Sequence, residues 1–94
     1  MSDEMVCAAV LVSGRVQGVG YRFFTERLAA EVGVAGWSRN LADGRVELEV
    51  EGEKKRVERF IKELGVGPRM ARVSDVTVEH RPYRGVHKGF SIKF

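Results

Sequence analysis

The sequence predicts an α+β fold in which two helices cover one face of an antiparallel sheet. Two observations predict it. Strand-like and helix-like segments follow one another in the order β-α-β-β-α-β, with one more short strand at the end of the chain. Each helical segment has its apolar residues on one side, which is the pattern of a helix that covers a sheet. This order is that of the ferredoxin-like split βαβ arrangement.

The first half of the chain contains a buried strand, a helix and a pair of strands. Residues 6–12 are nearly all apolar and indicate a central strand that is buried on both faces. Apolar residues at helical spacing predict a helix over residues 21–32, which Gly33 ends. Residues 34–41 and 45–51 indicate two further strands, joined by a turn of the Asp-Gly type.

The second half contains another helix, an alternating strand and a short final strand. The clearest helical periodicity covers residues 53–64, and Gly65 is expected to end this helix. Residues 73–80 alternate as a half-buried strand does. A basic loop, residues 81–87, then leads to the last strand, which is predicted over residues 90–94.

Length and composition favour a single small domain over residues 1–94, with about the first four residues disordered. No apolar run is long enough to span a bilayer, and the acidic start lacks the pattern of a signal peptide. The single cysteine, Cys7, excludes an internal disulfide and agrees with a reducing cytoplasm. The net charge of +3 favours anionic ligands.

A glycine-rich segment, GRVQGVGYR (residues 14–22), lies between the first strand and the first helix. It lacks the Gly-Lys-Ser/Thr end of a Walker A loop, and Phe23 stands where a dinucleotide-binding fingerprint needs a glycine. Glycines that lead into a helix can turn successive N–H groups toward an anion. Arg22 adds a guanidinium in the first turn, where a positive charge opposes the helix dipole unless an anion is bound. The alternative is a tight turn in which Arg22 forms a surface ion pair.

Asn40 stands at the end of the second predicted strand, and this end could approach the glycine-rich segment. Its amide is neutral at ordinary pH, offers both a donor and an acceptor, and can hold a water molecule. The alternative role for Asn40 is that of a turn residue ahead of the Asp-Gly pair.

Two segments resemble the signatures of the acylphosphatase family, and the resemblance extends over nearly the whole chain. GRVQGVGYR is similar to the first signature. GWSRN (residues 36–40), followed by Gly44, Val46 and Gly52, is similar to the second.

The resemblance implies metal-independent hydrolysis of acyl phosphates to a carboxylate and inorganic phosphate, with no cofactor. Arg22 matches the phosphate-binding arginine of the family, and Asn40 matches the asparagine that positions the attacking water. The backbone N–H groups that hold the phosphate would come from Gln17, Gly18, Val19, Gly20 and Tyr21. The implied partners are a small-molecule acyl phosphate and inorganic phosphate as product or inhibitor. We expect a cytoplasmic monomer that binds neither nucleic acid nor membrane.

The chain departs from the usual family pattern at two positions. Tyr21 stands where Phe or Met is usual, and Ser38 stands where a small apolar residue is usual. Both changes are mild, and they bear on the packing of the loop and on substrate preference, not on the chemistry.

The residues alone leave two other functions open. One is a domain that binds phosphate or an acyl phosphate without turning it over. The other is an RNA-binding module, since such modules share the βαββαβ order. Glu47, Glu49 and Glu51 alternate with apolar residues and are expected to be exposed on the open face of the sheet, where they would repel the RNA backbone.

Four other residues of possible chemical interest are assigned structural roles. We expect Cys7 to be a small buried residue, since no neighbour in sequence would lower the pKa of its thiol. We expect Trp37 to pack on the sheet. The two histidines, His80 and His87, flank the basic loop and are expected to be exposed.

Overall fold

The computed structural model describes residues 4–94 and has its helices and strands in the predicted order. The elements are β1 (Met5–Arg15), α1 (Tyr21–Val32), β2 (Ala35–Asn40), β3 (Val46–Glu53), α2 (Lys54–Val66), β4 (Arg72–Arg81) and β5 (Phe90–Lys93). The ferredoxin-like α+β class is therefore confirmed. Disorder was expected for about the first four residues. Of these, residues 1–3 lie outside the described residues. Glu4 is described, and its carbonyl accepts a hydrogen bond of 2.8 Å from the N–H of Lys54.

The five strands form one sheet in the order β4-β1-β3-β2-β5. The pairs β1–β4, β1–β3 and β2–β3 are antiparallel as predicted, but β5 runs parallel to β2. The prediction of a purely antiparallel sheet is therefore wrong. The path of the chain explains the difference. β4 ends at the same end of the sheet at which β2 begins, so the strand that follows it must run in the direction of β2.

The two helices enclose the core against one face of the sheet. Val10, Leu48 and Val50 extend from the two central strands into this core, and Phe60 and Leu64 extend from α2. All five are at most 1% exposed. Because side chains alternate along a strand, the glutamates of β3 lie on the opposite, open face.

Helix α1 has the predicted bounds, whereas α2 ends later than predicted. The helix continues over Gly65 and Val66, and the cap position is taken by Gly67, whose N–H donates to the carbonyl of Glu63 at 3.0 Å. A single glycine inside a helix costs only about 1 kcal/mol relative to alanine. Pro68 follows the cap and cannot continue the helix, which explains why the end falls there.

The glutamate row of β3 is not exposed along its whole length, which corrects the prediction. Glu49 and Glu51 are 7% and 3% exposed. The connection between β4 and β5 (residues 82–89) crosses the open face and covers them. His87, which was expected to be exposed, is partly buried against Glu49. The alternation in sequence assigns these carboxylates to a face, but it does not report what covers that face.

The same connection affects β1, the strand predicted to be buried on both faces. Cys7 is 2% exposed on the open face, next to Glu51 in the register of β1 with β3. Farther along this face, Ala9 and Leu11 remain half-buried. The prediction therefore holds only near the start of β1, where residues 82–89 cover the sheet.

Candidate active site

The bend between β1 and α1 takes its shape from two glycines. Gly18 and Gly20 have φ angles of 73° and 75°, in the left-handed region that residues with a Cβ atom rarely adopt. A Cβ atom at either position would meet no atom within 4 Å. The two glycines are therefore required by the backbone conformation and not by lack of space.

The start of α1 leaves backbone N–H groups without a partner in the helix. Gly20 occupies the cap position, and within the described residues no side chain caps the helix and no acidic residue lies in its first turn. The N–H of Phe24 donates to the carbonyl of Gly20 at 3.0 Å. The N–H groups that precede it have no acceptor within the helix. Such a helix start favours an anion, through both its N–H groups and its dipole.

Gln17 fixes the bend to the hairpin between β2 and β3. Its side-chain amide donates to the carbonyls of Leu41 and Arg45 at 2.7 and 2.9 Å. One amide thus spans both sides of the turn that follows Asn40. The side chain of Gln17 holds the glycine-rich segment beside the end of β2.

A cavity of about 140 Å³ opens at this bend, and both Arg22 and Asn40 line it. Asn40 lies opposite Val46 in the register of β2 with β3, so its side chain is on the helix-covered face of the sheet, where α1 begins. The expected approach of this strand end to the glycine-rich segment is therefore present. The lining residues are Val16, Gly18, Gly20, Tyr21, Arg22, Phe23 and Asn40.

The cavity includes most of the residues predicted for the site, but not all of them. Gln17 and Val19 do not line it, whereas Val16 and Phe23, which sequence reasoning missed, do. Val16 is buried and precedes the bend, and Phe23 is exposed at its rim. Their positions beside predicted site residues are the only signal in the sequence that could have indicated them.

Arg22 is held by the end of the chain and not by an acidic side chain. Its Nη1 donates to the carbonyl of Lys93 at 3.3 Å, and its guanidinium carbon lies 4.9 Å from the centre of the Phe94 ring. Within residues 4–94 it forms no ion pair with a carboxylate, unlike Arg39 and Arg45. The surface ion pair that was the alternative for Arg22 is therefore absent from the described residues, and its charge remains available to an anion.

A buried pair of hydroxyl groups connects the turn that carries Arg22 to the strand that carries Asn40. Thr25 and Ser38 are both fully buried. The Thr25 hydroxyl donates to the carbonyl of Arg22 at 2.6 Å and lies 3.1 Å from the hydroxyl of Ser38. Since the Thr25 proton is used, Ser38 is the donor in the second contact. This contact gives the unusual Ser38 a partner.

The second unusual residue, Tyr21, also has a partner for its hydroxyl group. Tyr21 is 1% exposed, and its hydroxyl donates to the carbonyl of Leu64 on α2 at 2.8 Å. Burial raises the pKa of Tyr21, so the side chain stays neutral. Tyr21 therefore packs as part of the core at the base of the cavity.

The hydroxyl pair leads to a stability prediction. Thr25→Val leaves the Ser38 hydroxyl buried without its acceptor, which should lower the free energy of unfolding by about 1–3 kcal/mol. Adding Ser38→Ala removes the unpaired group, so the double variant should recover part of the loss. Urea denaturation of the two single variants and the double variant measures this. Strictly additive losses would contradict a direct bond between the two hydroxyl groups.

Cys7 is buried as expected and lies away from the cavity. Burial, together with the nearby charges of Glu49 and Glu51, raises the pKa of its thiol. A thiol with a raised pKa is a poor nucleophile at neutral pH. We therefore expect Cys7→Ala to keep kcat within about twofold of the unmodified chain, measured by steady-state hydrolysis of an acyl phosphate, the substrate that the family resemblance implies. A loss of most of the activity in a folded Cys7→Ala variant would contradict this assignment.

In the described part of the chain, no helix is long and apolar enough to cross a membrane. Over the same residues, no three His, Cys, Asp or Glu side chains gather into a group that could hold a metal ion. The fold and the cavity define a small α+β domain with an arginine and an asparagine at the start of an uncapped helix.

Comparison with known proteins identifies the family. The acylphosphatase family model matches residues 8–92. The acylphosphatase of Thermus thermophilus is 50% identical over 82 residues, which cover 87% of this chain and 92% of that protein. The acylphosphatase of an Anaeromyxobacter species is 48% identical over 90 residues, with 96% and 97% covered. The crystal structure of acylphosphatase from Bacillus subtilis superposes with a TM-score of 0.91 at 35% identity, covering 95% of this chain and 99% of that one.

The chain belongs to the acylphosphatase family and is a hydrolase of this class. The suspected resemblance is confirmed over almost the full length of the sequence. The match also favours an enzyme over the two other functions that the residues had left open.

Proposed function

We propose that this protein hydrolyses acyl phosphates without a metal ion, with Arg22 and the N–H groups at the start of α1 binding the phosphoryl group. The observation that carries the proposal is that Arg22 and Asn40 line one cavity at an uncapped helix start. The phosphate-binding backbone would come from Gln17 to Tyr21, as the family resemblance implies. Gly18 and Gly20 support this part of the proposal because their left-handed conformation shapes the bend.

The substrate makes the small number of catalytic groups sufficient. A carboxylate is a good leaving group, because its conjugate acid has a pKa of about 4, so no general acid is needed. Phosphoryl transfer depends mainly on positioning and on stabilising the charge of the equatorial oxygens. A guanidinium and fixed N–H donors supply that stabilisation, and they are already oriented before the reaction begins.

Asn40 would orient the attacking water in line with the leaving carboxylate. Within residues 4–94 its side chain has no hydrogen bond, so both its donor and its acceptor are free. An amide cannot act as a base at neutral pH, and we propose that a phosphate oxygen takes the proton of the water. The products are then a carboxylate and inorganic phosphate, with all atoms accounted for.

The proposal includes the protein's partners and setting. We propose that the chain acts as a single domain and as a monomer in the cytoplasm, on a small acyl phosphate, without nucleic acid or membrane. Inorganic phosphate is expected to inhibit it competitively, because the product occupies the position of the substrate phosphoryl group.

The test is hydrolysis of benzoyl phosphate by the purified chain in buffer that contains EDTA. Release of benzoate and phosphate well above the uncatalysed rate is expected, with competitive inhibition by phosphate. A folded chain that leaves benzoyl phosphate intact, or that requires an added divalent cation, would contradict the proposal.

A further inference from the structure

We infer that Glu51, with Glu49, positions Arg22 by holding the connection between β4 and β5 (residues 82–89) against the sheet. The inference rests on the catalytic role proposed for Arg22. Glu51 does not touch the cavity, so it is a positioning residue and not a catalytic one. Its influence passes through the backbone of the connection and of β5.

Glu51 is buried because backbone groups of the connection bind its carboxylate. Its Oε1 accepts from the N–H of His87 at 3.0 Å, and its Oε2 accepts from the N–H of Gly85 at 3.3 Å. A carboxylate that is only 3% exposed is costly to bury unless such donors satisfy it. The two bonds therefore define where the connection lies on the open face.

Glu49 adds a second anchor at the same place. The imidazole Nε2 of His87 lies 2.6 Å from its Oε2. The guanidinium groups of Arg81 and Arg84 each lie 3.8 Å from one of its oxygens. Arg81 at the end of β4 and two residues of the connection, Arg84 and His87, thus contact one buried carboxylate.

The connection leads directly into the strand that contacts Arg22. The carbonyl of Gly89 accepts from the N–H of Gly36 at 2.9 Å, and β5 then pairs with β2 as far as Lys93. β5 has only four residues and lies at the sheet edge, so its position depends strongly on how its start is held.

The end of β5 contacts the guanidinium of Arg22 at two points. The carbonyl of Lys93 accepts from Arg22, and the ring of Phe94 lies beside its charge, which is a favourable cation–π arrangement. An arginine side chain has many rotamers, and a misplacement of about 1 Å at a reacting group can cost about 100-fold in rate. A shift of β5 would therefore be felt at the cavity, although Glu51 is on the other face of the sheet.

The experiment compares Glu51→Gln with Glu47→Gln, using benzoyl phosphate. Glu47 lies on the same strand and face but pairs with Arg39, away from residues 82–89. Glu51→Gln should lower kcat/KM about tenfold and weaken phosphate inhibition, because one backbone N–H loses its acceptor. Glu47→Gln removes the same charge and should stay within about twofold. Equal effects in the two variants would overturn the inference.

A double-mutant cycle with Phe94→Ala separates positioning from a general loss of stability. If Glu51 acts through β5, the losses from Glu51→Gln and Phe94→Ala should be less than additive, because Phe94→Ala already removes one of the two contacts that the end of β5 makes with Arg22. Independent, additive losses in kcat/KM would overturn the inference.

The single tryptophan, Trp37, reports directly on the position of β5, since the ammonium of Lys93 lies 4.3 Å from the centre of its ring. Its fluorescence should change in Glu51→Gln. Glu47→Gln is no control for this measurement, because Arg39, the partner of Glu47, also lies over the ring of Trp37.

A second variant decides the question if Glu51→Gln does not fold. His87→Gln keeps the backbone donors and removes only the ring contact with Glu49, so a loss of about threefold with the same non-additivity is expected. Additive losses there would overturn the inference equally. Failure of the proposed function would give a different kinetic result. The unmodified chain would then be inactive, or Arg22→Ala would retain activity, whatever Glu51→Gln does.

Discussion

Arg22→Ala is expected to lower kcat for benzoyl phosphate by about 10³- to 10⁵-fold, the range found when an arginine that stabilises a transferring phosphoryl group is removed. Its guanidinium is the charge in the cavity that no carboxylate of residues 4–94 neutralises. Phosphate inhibition should weaken as well, because the same group binds the product. Because Arg22 is partly exposed, the free energy of unfolding should change by less than about 1 kcal/mol. Steady-state kinetics and urea denaturation measure the two quantities.

Arg22→Lys is the matched control for charge. It keeps the positive charge but loses the planar fork that binds two phosphate oxygens at once. It also loses the donor to the carbonyl of Lys93 in its present geometry. We therefore expect severe impairment in Arg22→Lys too. Retention of kcat within about tenfold would show that a point charge is sufficient, and would contradict bidentate binding.

Asn40→Ala is expected to lower kcat at least about 100-fold, as does loss of one oriented polar group in other enzymes. The inhibition constant of phosphate should stay nearly unchanged, because the role proposed for Asn40 is to orient the water and not to bind the phosphoryl group. The contrast with Arg22→Ala is the informative result. Steady-state kinetics with phosphate as a competitive inhibitor measures both variants under one set of conditions.

Asn40→Asp serves as the control for shape in this experiment. It has nearly the same size but adds a negative charge, which would repel the phosphoryl group, so both kcat and phosphate binding should fall. If Asn40→Ala and Arg22→Ala weaken phosphate binding equally, the division of roles between the two residues is wrong.

Local patterns in the sequence predicted the order of the helices and strands. Apolar spacing and a terminal glycine predicted α1 with its observed bounds, because both signals act within one turn of helix. The parallel β5 was not predictable in this way, since a strand's direction depends on the path of the connection before it. The burial of Glu49 and Glu51 was missed for the same reason. The alternation of polar and apolar residues in β3 assigns the glutamates to one face of the sheet. The residues that cover this face, 82–89, are far away in the sequence.

The candidate site was likewise predictable from the sequence only in part. Arg22 and Asn40 were predicted as site residues because they belong to short segments that resemble the acylphosphatase signatures. The hydroxyl pair of Thr25 and Ser38 depends on the packing of a helix against a strand, which spacing alone does not reveal. The contact of Arg22 with the carbonyl of Lys93 joins residues that are 71 positions apart in the sequence. Backbone acceptors carry no signature in sequence, so such contacts require the folded molecule.

Because no side chain of the described residues caps the start of α1, binding of phosphate in the cavity is expected to stabilise the folded state. A bound phosphate would serve as the cap that no side chain of residues 4–94 provides, and it would bind the native chain only. Mass action then raises the free energy of unfolding by about 2.7 kcal/mol when phosphate is at 100 times its Kd. Product that accumulates would thus slow turnover and protect the native state at once, so the resting enzyme is most resistant to heat when it is most inhibited.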